Sequence, residues 1–137
     1  MEITREIQVD TGHRIPFHKA KCYNVHGHRY RIIATVEGTT VDQLGISDHG
    51  MVMDFGDLKS ILMHKVHDII DHGFIVWKDD TALKEFLQKE GYRVVVFEDV
   101  PTAENIARWA FYQMKDDVKA KYGNQMRLKT TGAKQKP

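Results

Sequence analysis

The chain has 137 residues, 42% of them hydrophobic and 28% charged, and a net charge of +1. That profile describes one globular domain over 1–137, large enough to bury a core without cross-links, with no electrostatic pull toward nucleic acid. A single cysteine excludes an internal disulfide and suits a reducing cytoplasm, and neither a signal-peptide pattern nor an apolar run of membrane-spanning length is present.

Residues 3–12 read as a strand with Ile3, Ile7 and Val9 facing inward. Residues 14–25, with Pro16, several basic side chains and Cys22, read as a loop. Arg29 to Gly38 is β-branched and alternating, a second strand expected to pair antiparallel with the first. After a Gly-, Thr-, Ser- and Asp-rich loop, a helix runs through about residue 70, with Leu58, Ile61, Leu62, Val66, Ile69 and Ile70 as its buried stripe and Gly73 at the turn beyond it. A short amphipathic helix from Asp80 ends at Gly91, and Tyr92–Phe97 is a third strand. Thr102 caps a longer helix that Gly123 ends. Met126–Thr130 is a short fourth strand, and the tail from about 131 is expected to fray. The order predicts an α+β domain, helices on one face of an antiparallel sheet.

All eight histidines fall in the first 72 residues. His26 and His28, two apart, point to one face of an extended strand. His13 supplies a third imidazole if the two strands pair. Three neutral imidazoles with an open fourth position describe a catalytic Zn2+ site, and Cys22 beside it suits proton transfer rather than ligation. Asp71-His72 reads either as a carboxylate orienting a catalytic imidazole or as a surface pair after a helix end. His64 and His67 read as solvent-facing, and His18 and His49 have no identified partner. Arg14, Lys19, Lys21 and Arg29 surround the motif and are candidates for an anionic substrate, or a solvated patch.

His13, Cys22-x-x-x-His26-Gly-His28, Gly50-Met-Val-Met-Asp-Phe-Gly-Asp-Leu-Lys59, Asp71-His72 and Pro101-Thr-Ala-Glu-Asn105 occur in this order over about residues 3–115. Together they resemble the 6-pyruvoyl-tetrahydropterin synthase / 6-carboxy-tetrahydropterin synthase family. The three residues between Cys22 and His26 resemble the 6-carboxy branch. The resemblance implies the tunnelling fold (T-fold), a four-stranded antiparallel sheet with two main helices on one face, assembled as a homohexamer of two stacked trimers with active sites between subunits. It implies His13, His26 and His28 as zinc ligands, Cys22 as general base or acid, and Asp71 and His72 as its activating pair. Glu104, Thr102 and Lys21 become candidate substrate contacts. The implied reaction converts 7,8-dihydroneopterin triphosphate to 6-carboxy-tetrahydropterin, acetaldehyde and triphosphate, on the route to queuosine-type deazaguanines.

One departure stands out. The family carries a glutamate near the carboxyl end that grips the pterin edge; here Thr130 holds that place, or Lys129 if the register slips by one, and no glutamate follows Glu104. A neutral hydroxyl cannot replace a bidentate carboxylate, a loss of roughly 2–4 kcal/mol of recognition. Two alternatives therefore stand beside the main reading: a same-fold enzyme for an altered pterin or purine-like substrate, 6-pyruvoyl-type activity included, and a non-catalytic zinc-containing oligomer. A zinc hydrolase is a weaker third, because no His-Glu-x-x-His base is present.

Overall fold

β1 (Glu2–His13) and β2 (His26–Gly38) pair antiparallel along their whole lengths, Glu2 opposite Glu37 and His13 opposite His26. The computed structural model describes residues 1–123 and 126–136. Alternation does what the sequence predicts: Ile7 and Val9 of β1 and Tyr30, Ile32, Ala34 and Val36 of β2 are buried on one face. The other face carries the polar residues, including an ion pair between Glu6 and Arg31 and hydroxyl contact between Thr4 and Thr35.

Helices cover the buried face. α1 (Phe55–Leu62) is capped by Asp54, whose carboxylate accepts from the Gly56 N–H at 2.6 Å. A π-helical turn, Met63–His67, follows, then α2 (Asp68–Ile70). Leu58, Leu62, Val66 and Ile70, all fully buried, are spaced by four. A step of four overshoots an α-helical turn by about 40°, so a regular helix would rotate this stripe off the core. The wider π turn holds Val66 and Ile70 on it. α3 (Thr81–Lys89) is short and mostly exposed. α4 (Ala103–Tyr122) buries Ile106, Ala110, Met114 and Val118 and starts where expected, with Thr102 Oγ1 accepting from the Asn105 N–H at 3.1 Å.

The sheet has five strands in the order β4-β3-β1-β2-β5. Beyond the expected strands it contains β3 (Phe74–Trp77), parallel to β1 and to β4 (Val94–Phe97), so the sheet is mixed rather than wholly antiparallel. β3 crosses β1 closely at Gly12: a methyl group there would lie 2.7 Å from the Phe74 ring. β5 (Met126–Gln135) runs antiparallel to β2 well past residue 130. The tail from 131 therefore does not fray: Ala34, Ile33, Ile32, Arg31 and Tyr30 pair with Thr131 to Gln135, and the Lys136 N–H donates to the Arg29 carbonyl at 2.8 Å. Backbone groups on the open edge of β2 make this pairing, whatever the propensity of Gly-Ala-Lys-Gln. The ladder shifts at Lys129, which has no partner between Leu128 opposite Val36 and Thr130 opposite Thr35.

Candidate metal centre and its surroundings

The register of β1 and β2 assembles the histidines. His13 lies across the ladder from His26, Thr11 lies across from His28, and all four belong to the helix-covered face. One nitrogen from each of His13, His26 and His28 falls within a 4.8 Å group able to hold a metal ion. His13 is fully buried.

The second nitrogens are held. The His13 Nδ1–H donates to the Pro101 carbonyl at 2.7 Å, and the His26 Nδ1–H donates to the Asn24 carbonyl at 2.6 Å. Each bond fixes the tautomer that leaves Nε2 with its lone pair free. The Nε2 atoms of His26 and His28 are buried without hydrogen-bond partners among the described residues. An orphaned buried nitrogen is costly unless something binds it, so the donor set fits a metal with imidazole affinity. Burial lowers the His13 pKa, and burial followed by the charge of His26 lowers that of His28. Both shifts favour the neutral, ligating form.

Tyr30 continues the same face. Its hydroxyl lies 3.2 Å from His13 Nε2 and accepts from Gln135 Nε2 at 3.5 Å. Burial is the main cause that pushes its phenol up to about 12, with the charges of Cys22 and Glu104 adding to it. Tyr30 went unread in the sequence, although its place two residues after His28 on one face was the available signal. Pro101 and Asn24 act only through backbone carbonyls and left no side-chain signal. The Pro101 carbonyl is set by its turn: Thr102 caps α4, and Asn105 Nδ2 donates to the Val100 carbonyl at 2.8 Å.

Cys22 sits, partly buried and outside any disulfide, in a one-turn 3-10 helix, Lys21–Tyr23, in the β1–β2 connection. The Asp71–His72 pair is formed: the His72 Nδ1–H donates to Asp71 Oδ2 at 2.7 Å, and Asp71 Oδ1 accepts from the Asp10 N–H at 3.0 Å. Burial works to raise the Asp71 pKa, but the Asp10 and His72 hydrogen bonds and the charges of His67 and His72 outweigh it and lower the pKa. The turn differs from expectation in one respect: His72, not Gly73, has the left-handed backbone, with φ 56°. Gly73 is needed for closeness instead, since a methyl there would stand 3.2 Å from the Ile70 carbonyl oxygen. A left-handed histidine costs on the order of 1 kcal/mol. It is held by its own N–H donating to the Asp10 carbonyl at 2.7 Å. The His72 side chain is 77% exposed and, with Asp10, Arg29, Gly12 and Gly27, lines a cleft of about 380 Å³ bordering His28. Among the described residues no hydrogen bond joins Cys22 to His72.

The basic candidates divide. Arg29 is forked onto Asp10 at 2.8 and 3.0 Å, and Arg14 is paired with Asp80, so neither is a free cation. Lys21 and Lys19 are exposed without ion pairs among the described residues. Glu104 is exposed in the first turn of α4, and the Thr102 oxygen already accepts the capping bond. Lys129, the alternative to Thr130, is ion-paired with Glu2 and Glu37. Thr130 itself is exposed on the face opposite the helices, while Thr131 turns inward and donates to the Ala107 carbonyl.

A family profile described as 6-pyruvoyl tetrahydropterin synthase matches residues 2–132. A 6-carboxy-5,6,7,8-tetrahydropterin synthase of Rickettsia bellii is 37% identical over 108 residues, 78% of this chain and 75% of its own length. The protein of the same name from Haemophilus influenzae is 35% identical over 121 residues, 85% of this chain and 83% of its own. Among solved structures, an uncharacterised protein of Wolinella succinogenes aligns over 100% of this chain and 93% of its own, with TM-score 0.78 at 22% identity. A 6-pyruvoyltetrahydropterin synthase of Plasmodium vivax aligns over 99% of this chain and 98% of its own, with TM-score 0.66 at 17% identity. The fold is the expected T-fold, with five strands in place of four.

Proposed function

This chain belongs to the 6-pyruvoyl tetrahydropterin synthase family, and we propose from that premise that it is a zinc-dependent 6-carboxy-tetrahydropterin synthase of the cytoplasm. Its substrates are 7,8-dihydroneopterin triphosphate and one water, and its products are 6-carboxy-tetrahydropterin, acetaldehyde and triphosphate, feeding queuosine-type deazaguanine synthesis. The observation that carries the reading is the His13–His26–His28 group, with two Nδ1 atoms committed to carbonyls and two Nε2 atoms buried without partners. Relatives of that name at 35–37% identity support the choice of branch.

His13, His26 and His28 hold the ion. When bound, zinc supplies Lewis acidity toward the oxygens of the substrate side chain. The chain's own residues do the rest. Cys22, as thiolate, removes and returns protons at carbons next to those oxygens, and a nearby cation favours its thiolate form. Asp71 fixes the His72 tautomer, leaving Nε2 to exchange a proton with the thiol or substrate. His72 is exposed, and in the oligomer the dyad of one copy serves the thiol of another. The working form is a homo-oligomer, a hexamer of two trimers. Lys21, Thr102 and Glu104 lie on the connection and helix start nearest this end and contact substrate.

Thr130 favours a second reading, the same fold acting on an altered pterin or purine-like ring, because no carboxylate stands at that place. Incubation with dihydroneopterin triphosphate and mass identification of the products separates the two.

A further inference from the structure

We infer that Arg14 is a positioning residue for Cys22, locking the thiol-bearing turn to the strand that carries His13. The inference rests on the proposed role of Cys22. The connection 14–25 is twelve residues long and carries Cys22 in its single short turn. Loops of that length wander unless tied. Two consecutive carbonyls of the turn are tied to the two residues that follow His13. The Ile15 N–H donates to the Cys22 carbonyl at 2.9 Å, and Arg14 Nε donates to the Tyr23 carbonyl at 2.9 Å. The Arg14 guanidinium also lies over the Tyr23 ring, 4.6 Å from its centroid.

The far side of the guanidinium is fixed as well. Arg14 Nη1 donates to Asp80 Oδ1 at 2.8 Å, with the two side chains only 20% and 9% exposed. Asp80 immediately precedes α3, and its Oδ2 has no hydrogen-bond partner among the described residues. Among the described residues Arg14 is the only cation paired with Asp80, and removing it would leave a buried carboxylate uncompensated. Phe17 of the same connection packs edge-on against Trp77 at 5.4 Å, so the turn is fastened at two points to the β3–α3 corner. The task needs a planar group that donates in two directions and stacks on a ring. Lysine, a point charge, can keep Asp80 paired but cannot hold Tyr23 at the same time.

That difference makes Arg14→Lys the informative variant of the full chain, because it preserves the buried charge pair. Three measurements follow: zinc per chain, the rate of Cys22 alkylation by iodoacetamide, and the kinetics with dihydroneopterin triphosphate. Zinc content stays at the parent level and alkylation changes several-fold, while kcat falls by about ten- to a hundredfold with little change in KM, the signature of a misplaced group. Unchanged alkylation overturns the inference, as does a loss of zinc that accounts for the whole effect. If the parent protein does not turn over this substrate, the proposed function fails, and the alkylation rate alone still decides the role of Arg14. Tyr23→Leu, which keeps the carbonyl and removes the ring, gives a smaller change in the same direction; no change in alkylation for both variants also overturns it.

Discussion

His13 of β1 stands directly opposite His26 of β2, and this one pairing turns two separate histidine motifs into a single donor group. A slip of one residue would send His13 to the polar face. The Pro101 and Asn24 carbonyls hold two of the rings in place.

Metal content is the first consequence. The purified protein is expected to hold about one zinc per chain by elemental analysis, and His26→Ala or His28→Ala to lose it, since three ligands are the usual protein complement of a catalytic site. An Nε2-blocking loss that left zinc bound would mean that other residues hold the ion.

His72 tests the proton-transfer pair without disturbing the fold. Asparagine tolerates the left-handed backbone that His72 adopts at φ 56°, so His72→Asn should keep the thermal midpoint and zinc content while removing turnover. Cys22→Ala should do the same. Normal turnover in either variant would remove that residue from the mechanism.

Gly12 tests the crossing of β1 and β3. Gly12→Ala places a methyl 2.7 Å from the Phe74 ring and should destabilise the fold by about 1–3 kcal/mol in denaturant titration. Phe74→Leu in the same chain should recover part of that loss, which no account based on backbone entropy alone provides.

Acid stability should report the clasp at the end of α4. Hydrogen bonding to Lys121 is the main cause that holds the Asp57 carboxyl below its usual range, with the Tyr122 hydroxyl adding a second bond. A carboxyl more acidic in the folded than in the unfolded chain binds fewer protons there, so its stabilisation is present above about pH 4 and disappears as pH falls through the folded value. Asp57→Asn should therefore flatten the acid limb of the stability curve and leave its shape near neutral pH alone.

Much of this was legible in the sequence and some of it was not, for identifiable reasons. β1, β2 and the α4 cap follow from alternation and from Thr102, and the histidine group from a two-residue spacing plus one strand pairing. β3 is only four residues, Phe74–Trp77, too short to show a period, and it forms because β1 and β4 offer partners on both sides. The run from Thr131 to Gln135 has weak strand propensity and is recruited by the edge of β2. Arg14 read as a free cation because Asp80 lies 66 residues away, and a buried ion pair of that separation leaves no local pattern.

Recognition of the ring is tested at Thr130. Thr130→Glu restores a carboxylate to an exposed strand position, and pterin affinity should rise, by about tenfold or more if paired charge-assisted bonds form. Unchanged affinity would mean that the ring is gripped elsewhere.

The central claim meets its most direct test in one reaction. Zinc-loaded protein incubated with 7,8-dihydroneopterin triphosphate should yield 6-carboxy-tetrahydropterin, with acetaldehyde and triphosphate, by mass spectrometry. Recovery of unreacted substrate, or of the 6-pyruvoyl product in its place, would contradict the assignment.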